Sequence, residues 1–121
     1  MTMNLPPHQA EPILQIAELT HCLGNPAKGG FRLHVSRLEI FPGEWLAIKG
    51  YTGCGKSTLV QILGLARAPQ QVGDFRLRLS DPLALPTVHN LCRLYDENRQ
   101  RKIESIRRRS IGHVLQRPEL L

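Results

Sequence analysis

The stretch GYTGCGKST, from Gly50 to Thr58, constrains this chain more than any other. Gly50, Gly55, Lys56 and Ser57 satisfy the spacing G-x-x-x-x-G-K-[ST]. Glycines there let the backbone open and turn its N–H groups inward toward anionic oxygens. Lys56 adds a compact positive charge, and the Ser57 hydroxyl is a hard oxygen donor suited to Mg²⁺. A helix following the loop would aim the positive end of its dipole at the same anion. The bland alternative is a glycine turn with a solvated lysine. The flanking residues weigh against it.

Before the loop, WLAIKG is a mostly apolar run that predicts a short strand buried on both faces. After it, Leu59, Ile62, Leu63 and Ala66 fall at helical spacing, predicting a helix over 57–66. FRLHVS alternates Phe31, Leu33 and Val35 against Arg32, His34 and Ser36, the period of a strand with one wet face. ILQIAELT also predicts a strand, with Leu14, Ile16 and Glu18 on one side and Ile13, Gln15, Ala17 and Leu19 on the other. HCLGNPAKGG and FPGE are turns, RAPQQVGD ends the helix, and FRLRLS is another strand. DPLALPTVHN predicts a loop, and Leu91 to Arg109 one basic amphipathic helix. IGHVLQ is a last short strand or turn. Residues 1–12 are expected to form a disordered leader, with residues 13–121 as one domain.

Composition narrows the function classes. The net charge of +6 suits phosphates, nucleic acid or an anionic surface without choosing among them. Three cysteines with no CxxC pair suggest neither a disulfide framework nor a zinc site. The start is proline-rich and polar, unlike a secretion signal, and no apolar run is long enough for a bilayer span. A cytoplasmic chain is expected.

The stretch VSRLEIFPGEWLAIKGYTGCGKSTLVQILGL resembles the start of the ATP-binding domain of ABC transporters. Pro42, Gly43, Glu44, Gly50, Gly53, Gly55, Lys56, Ser57 and Thr58 match that family's pattern position by position. RRRSIGHVLQRPELL resembles its Q-loop segment and places Gln116 as the glutamine. The resemblance extends from about Ile13 to Leu121, and lipoprotein-release and macrolide-export ATPases are the most similar subgroup. It implies an α/β fold: a partial P-loop (RecA-like) ATPase core with an antiparallel β segment, truncated after the Q-loop.

By the same resemblance, Gly50, Gly53, Cys54, Gly55, Lys56, Ser57 and Thr58 would hold the phosphates of ATP. Ser57 and Gln116 would hold Mg²⁺, with Gln116 also sensing the γ-phosphate. The implied partners are a transmembrane permease subunit and a second ATP-binding domain, with the chain peripheral at the inner face of the membrane. Cys54 stands where the family often has serine; it is either a small filler or a thiol acidified by the helix N-terminus.

The chain also departs from the pattern. The family's adenine-stacking aromatic falls near Leu23, with His21 the nearest ring. Gln116 follows Lys56 by 60 residues, a long interval that points to an insertion around DPLALPTVHN. No L-S-G-G-Q signature, metal-holding Asp-Glu or late switch histidine follows Gln116 within these 121 residues. Asp96–Glu97 precedes the Q-loop segment, so it is read as a solvated helix start. The family hydrolyses ATP; the 121 residues alone are expected to bind it without turnover. WLAI and the helix face Leu59, Ile62 and Leu63 would then need cover from elsewhere.

Two rivals stay open. One is the remnant of another P-loop NTPase or kinase, though no N-K-x-D for guanine is present. The other is a basic nucleic-acid-binding module using Arg99 to Arg109. That stretch lacks aromatic interleaving, so no nucleic-acid partner is expected.

Overall fold

A computed structural model describes residues 11–50, 55–79 and 85–112. Within them stand four strands, β1 Leu14–Leu23, β2 Phe31–Ile40, β3 Asp74–Leu79 and β4 Thr87–Asn90. Three helices accompany them, α1 Lys56–Leu63, α2 Leu91–Asp96 and α3 Gln100–Ser110. The strands form one sheet in the order β2-β1-β3-β4, and every pairing is antiparallel. The fold is therefore α/β with an antiparallel sheet. None of the described helices is long and apolar enough to cross a membrane.

Alternation in β2 places Leu33 in the core, with Arg32, His34 and Ser36 exposed. β1 is less regular. Leu14 and Ile16 are buried, then Leu19 and His21, so the buried positions change parity at Glu18. The β1–β2 ladder skips Glu18 and Ser36, and Glu18 has a φ of 51°. A bulky residue in the left-handed region is strained.

Between β1 and β2, a 3-10 turn at Pro26–Lys28 is capped by the Asn25 side chain, which accepts from the Ala27 N–H at 3.0 Å. FPGE is a turn as expected. The Glu44 N–H donates to the Phe41 carbonyl at 3.1 Å, and Gly43 has a φ of 75°. Pro followed by a left-handed Gly is the signature of a type II turn.

Four expectations are corrected. Trp45 to Gly50 forms no strand; Trp45 is 98% exposed and only Ile48 packs against the core. An apolar strand needs partners on both edges, and β1 already has both of its edges occupied by β2 and β3. Second, the end of DPLALPTVHN is a strand, because Thr87 to Asn90 pair with β3 from Leu79 to Arg76. Third, the basic helix is two helices. Asn98 has a φ of 55° and breaks it. Fourth, Asp96 and Glu97 close α2 instead of starting a helix; the helix start is Asn90, whose Oδ1 accepts from the Arg93 N–H at 3.2 Å.

The core joins sheet and helices through Ile16, Leu19, Ile62, Phe75 and Leu91, all almost fully buried. Leu59 and Ile62 of α1 are buried in it, and Leu63 packs against it, so that helix face has cover. α2 packs on β3 and α3 on α2. Glu11 extends beyond β1 to pair with Arg78 at 2.7 Å; residues 1–10 of the expected leader lie outside the described residues.

Candidate functional site

The first glycine of the motif and the start of its helix are brought together. Gly55 is the N-cap of α1, with a φ of 95° and a ψ of 9°. A side chain at that φ is strained. It would also press on the protein, since a Cβ there would lie 3.2 Å from Leu23 Cδ1, 3.4 Å from Leu33 Cδ1 and 3.5 Å from Phe31 Cε1. The helix start is thus seated on the adjoining ends of β1 and β2, where Leu23 pairs with Phe31.

The first intrahelical bond of α1 runs from the Leu59 N–H to the Gly55 carbonyl at 2.9 Å. The N–H groups of Lys56, Ser57 and Thr58 precede that bond, so the ladder does not use them. No acidic residue stands in this first turn. Lys56 turns back along the loop, and its Nζ donates to the Gly50 carbonyl. Ser57 is exposed, while Thr58 is buried beneath it. Backbone donors, a helix dipole and an ammonium therefore converge with no carboxylate among them. That arrangement can hold an anion of several oxygens.

Of the expected site residues, Gly50, Gly55, Lys56, Ser57 and Thr58 lie in this cluster. Gly53, Cys54 and Gln116 lie outside the described residues. His21, the ring nearest the family's aromatic position, is corrected as a stacking candidate. It is 6% exposed, and its Nδ1 accepts from the Gln70 N–H at 3.3 Å. Burial, aided by the Arg67 charge, holds its pKa below 6.5. Among the described residues a ring does stand close to Gly55, that of Phe31, which is half-buried. Its alternation marks it as inward-facing, but no local signal says that the loop lands on it.

Among the described residues, a metal fits as part of a phosphate complex. Among the described residues no group of three or more His, Cys, Asp or Glu side chains could hold an ion. Ser57 offers one exposed hydroxyl, and Mg²⁺ commonly takes one or two protein oxygens and completes its shell with phosphates and water.

A family model described as ABC transporter matches residues 33–121. The macrolide export ATP-binding/permease protein MacB of Hahella chejuensis is 32% identical over 111 residues, which cover 92% of this chain. The ABC transporter ATP-binding protein YknY of Bacillus subtilis is 32% identical over 89 residues, 74% of this chain and 33% of its own length. The energy-coupling factor transporter ATP-binding protein EcfA1 of Lactiplantibacillus plantarum is 38% identical over 58 residues, 48% of this chain and 21% of its own. The chain spans 15% of the length of the MacB protein it matches. No solved structure matches. The glycine-lysine cluster at the head of α1 falls inside the matched span, and with the family model covering residues 33–121 the chain belongs to the ABC transporter family.

Proposed function

We propose that the chain binds ATP·Mg²⁺ through the loop from Gly50 to Thr58 and serves as an ATP-binding part of an ABC transporter that energises transport across a membrane. The observation that carries this reading is the return of Lys56 to Gly50 over an N-terminal turn free of acids. An ammonium has three donors, and one bond to Gly50 leaves two for outer phosphate oxygens. Gly53, Cys54, Gly55 and Thr58 complete the cradle in this reading, and Ser57 and Gln116 hold the metal. Bound Mg²⁺ would neutralise charge on the phosphates. Residues 13–121 act as one domain.

The names of the relatives support the rest. MacB is an ATP-binding/permease protein, so a permease is the natural partner, with a second ATP-binding domain beside it. In this reading the chain sits peripherally at the cytoplasmic face of the membrane. Phosphoryl transfer to water needs a metal-holding carboxylate and a positioned water. Turnover is assigned to assemblies that supply those groups.

Calorimetry with ATP·Mg²⁺ on the wild type and on Lys56→Ala tests the reading. The alanine variant removes charge-assisted bonds of about 1.5–3 kcal/mol, a loss of roughly 10- to 150-fold in affinity. Equal affinity of the two proteins would overturn it.

A further inference from the structure

The chain's positive surplus is concentrated on one helix. From Arg99 to Arg109 there are six basic residues, Arg99, Arg101, Lys102, Arg107, Arg108 and Arg109, against the single acid Glu104. The helix that carries them is not a loose tail. Ile103 and Ile106 are 4% and 5% exposed and hold α3 against the core. With 3.6 residues per turn, Arg101 and Arg108 project away from that buried side, and Lys102 and Arg109 flank them.

Arg101, Glu104, Ser105, Arg108 and Arg109 line a shallow depression of about 240 Å³. Glu104 is engaged with Arg108 at 2.6 Å and with Arg107 at 4.0 Å. Among the described residues no carboxylate pairs with Arg101, Lys102 or Arg109. A packed helix fixes their spacing: Arg101 and Arg108 are two turns apart, about 10 Å along the axis. Guanidinium groups match phosphate oxygens in a planar, forked geometry, and the Ser105 hydroxyl adds a donor within the depression.

The choice of anion follows from what surrounds the array. Recognition of single-stranded nucleic acid relies on exposed rings for base stacking. α3 has no aromatic residue, and the ring on α2, Tyr95, is half-buried with its hydroxyl fully covered. Groove reading needs a helix that protrudes, whereas α3 lies along its buried isoleucines. A bilayer of anionic headgroups requires only a flat array of cations. The relative MacB joins ATP-binding and permease parts in one protein, which brings a membrane surface within reach of a chain of this family.

We propose that the exposed side of α3 is a docking surface for anionic phospholipid headgroups, with Arg101, Ser105 and Arg109 holding phosphate at the depression and Lys102 beside them. Nothing in this surface depends on nucleotide binding at the α1 loop, so either assignment can fail without the other.

The experiment is sedimentation of the full chain with vesicles of phosphatidylcholine alone or mixed with phosphatidylglycerol, with an RNA oligonucleotide as a competitor. The full chain partitions onto the mixed vesicles only, and raising the salt releases it. Each surface cation contributes about fivefold to such partitioning, so Arg101→Gln with Arg109→Gln lowers it by roughly 25-fold. Arg32→Gln, exposed on β2, leaves it unchanged. Equal binding to both vesicle types overturns the proposal. So does an equal loss in the Arg32→Gln variant, which would reduce the effect to net charge. Displacement by RNA at concentrations below those of the lipid assigns the surface to nucleic acid and also overturns it.

Discussion

The Nζ of Lys56 donates a hydrogen bond to the carbonyl oxygen of Gly50, so the first residue of α1 is tied to the first glycine of its own loop. They lie six positions apart in sequence, yet the lysine closes the motif's two described ends on each other. Gly55, in the left-handed region, stands between them as the N-cap of the helix.

Gly55→Ala therefore disturbs the site and the fold together. A left-handed non-glycine residue costs on the order of 1–3 kcal/mol. The new methyl would also press on Leu23 and Leu33. Urea unfolding is expected to report a loss of that size, and calorimetry a weaker ATP·Mg²⁺ response. An unchanged unfolding midpoint would mean that the turn relaxes freely.

Glu18 gives the opposite sign. Its φ of 51° lies where glycine is at ease and a long side chain is not. Glu18→Gly is expected to stabilise the protein by about 1 kcal/mol, less any loss from its carboxylate's approach to His34 Nε2 at 3.9 Å. Ala17→Gly, in ordinary strand, is expected to destabilise by about 0.5–1 kcal/mol. Thermal melts of the two variants should move in opposite directions.

Gly29 and Gly30 separate conformation from space. Gly29 has a φ of 86° and open surroundings, whereas a Cβ on Gly30 would lie 2.5 Å from the Asn25 carbonyl carbon. Backbone cannot move aside as a side chain can. Gly30→Ala is expected to cost more than Gly29→Ala, about 2–3 kcal/mol against about 1 kcal/mol. Chemical denaturation of both tests the order.

His21 makes stability depend on pH. Burial first, and then Arg67, hold its pKa below 6.5, so the fold favours the neutral ring. Below about pH 6.5 the unfolded chain takes up a proton that the folded chain refuses, so stability falls with pH until the folded ring also protonates. His89 shifts in the same direction through burial and then Lys102. His21→Gln should flatten only part of the slope in urea midpoints measured between about pH 7.5 and pH 5.5. An unaltered slope would assign the whole effect to other groups.

The G-x-x-x-x-G-K-S spacing, the helix after it, the alternation of β2 and the Pro42–Gly43 turn were all legible in the chain itself. Each depends on residues close to one another in the chain, where side-chain period and backbone preference act directly. The position of Gly55, Lys56, Ser57 and Thr58 at the start of α1 was legible for the same reason.

Tertiary structure alone decided the rest. Thr87 to Asn90 are strand because β3 offers them an edge, and Trp45 to Gly50 are not, although their apolar run is the stronger local signal. Phe31 lies beside Gly55 because β1 and β2 carry it there, and Glu18 is strained between pairings that reach from Leu14 to Ile40 and to Leu77. A strand's identity lies in its hydrogen-bonding partner, and those partners stand tens of residues away, beyond the reach of any local pattern.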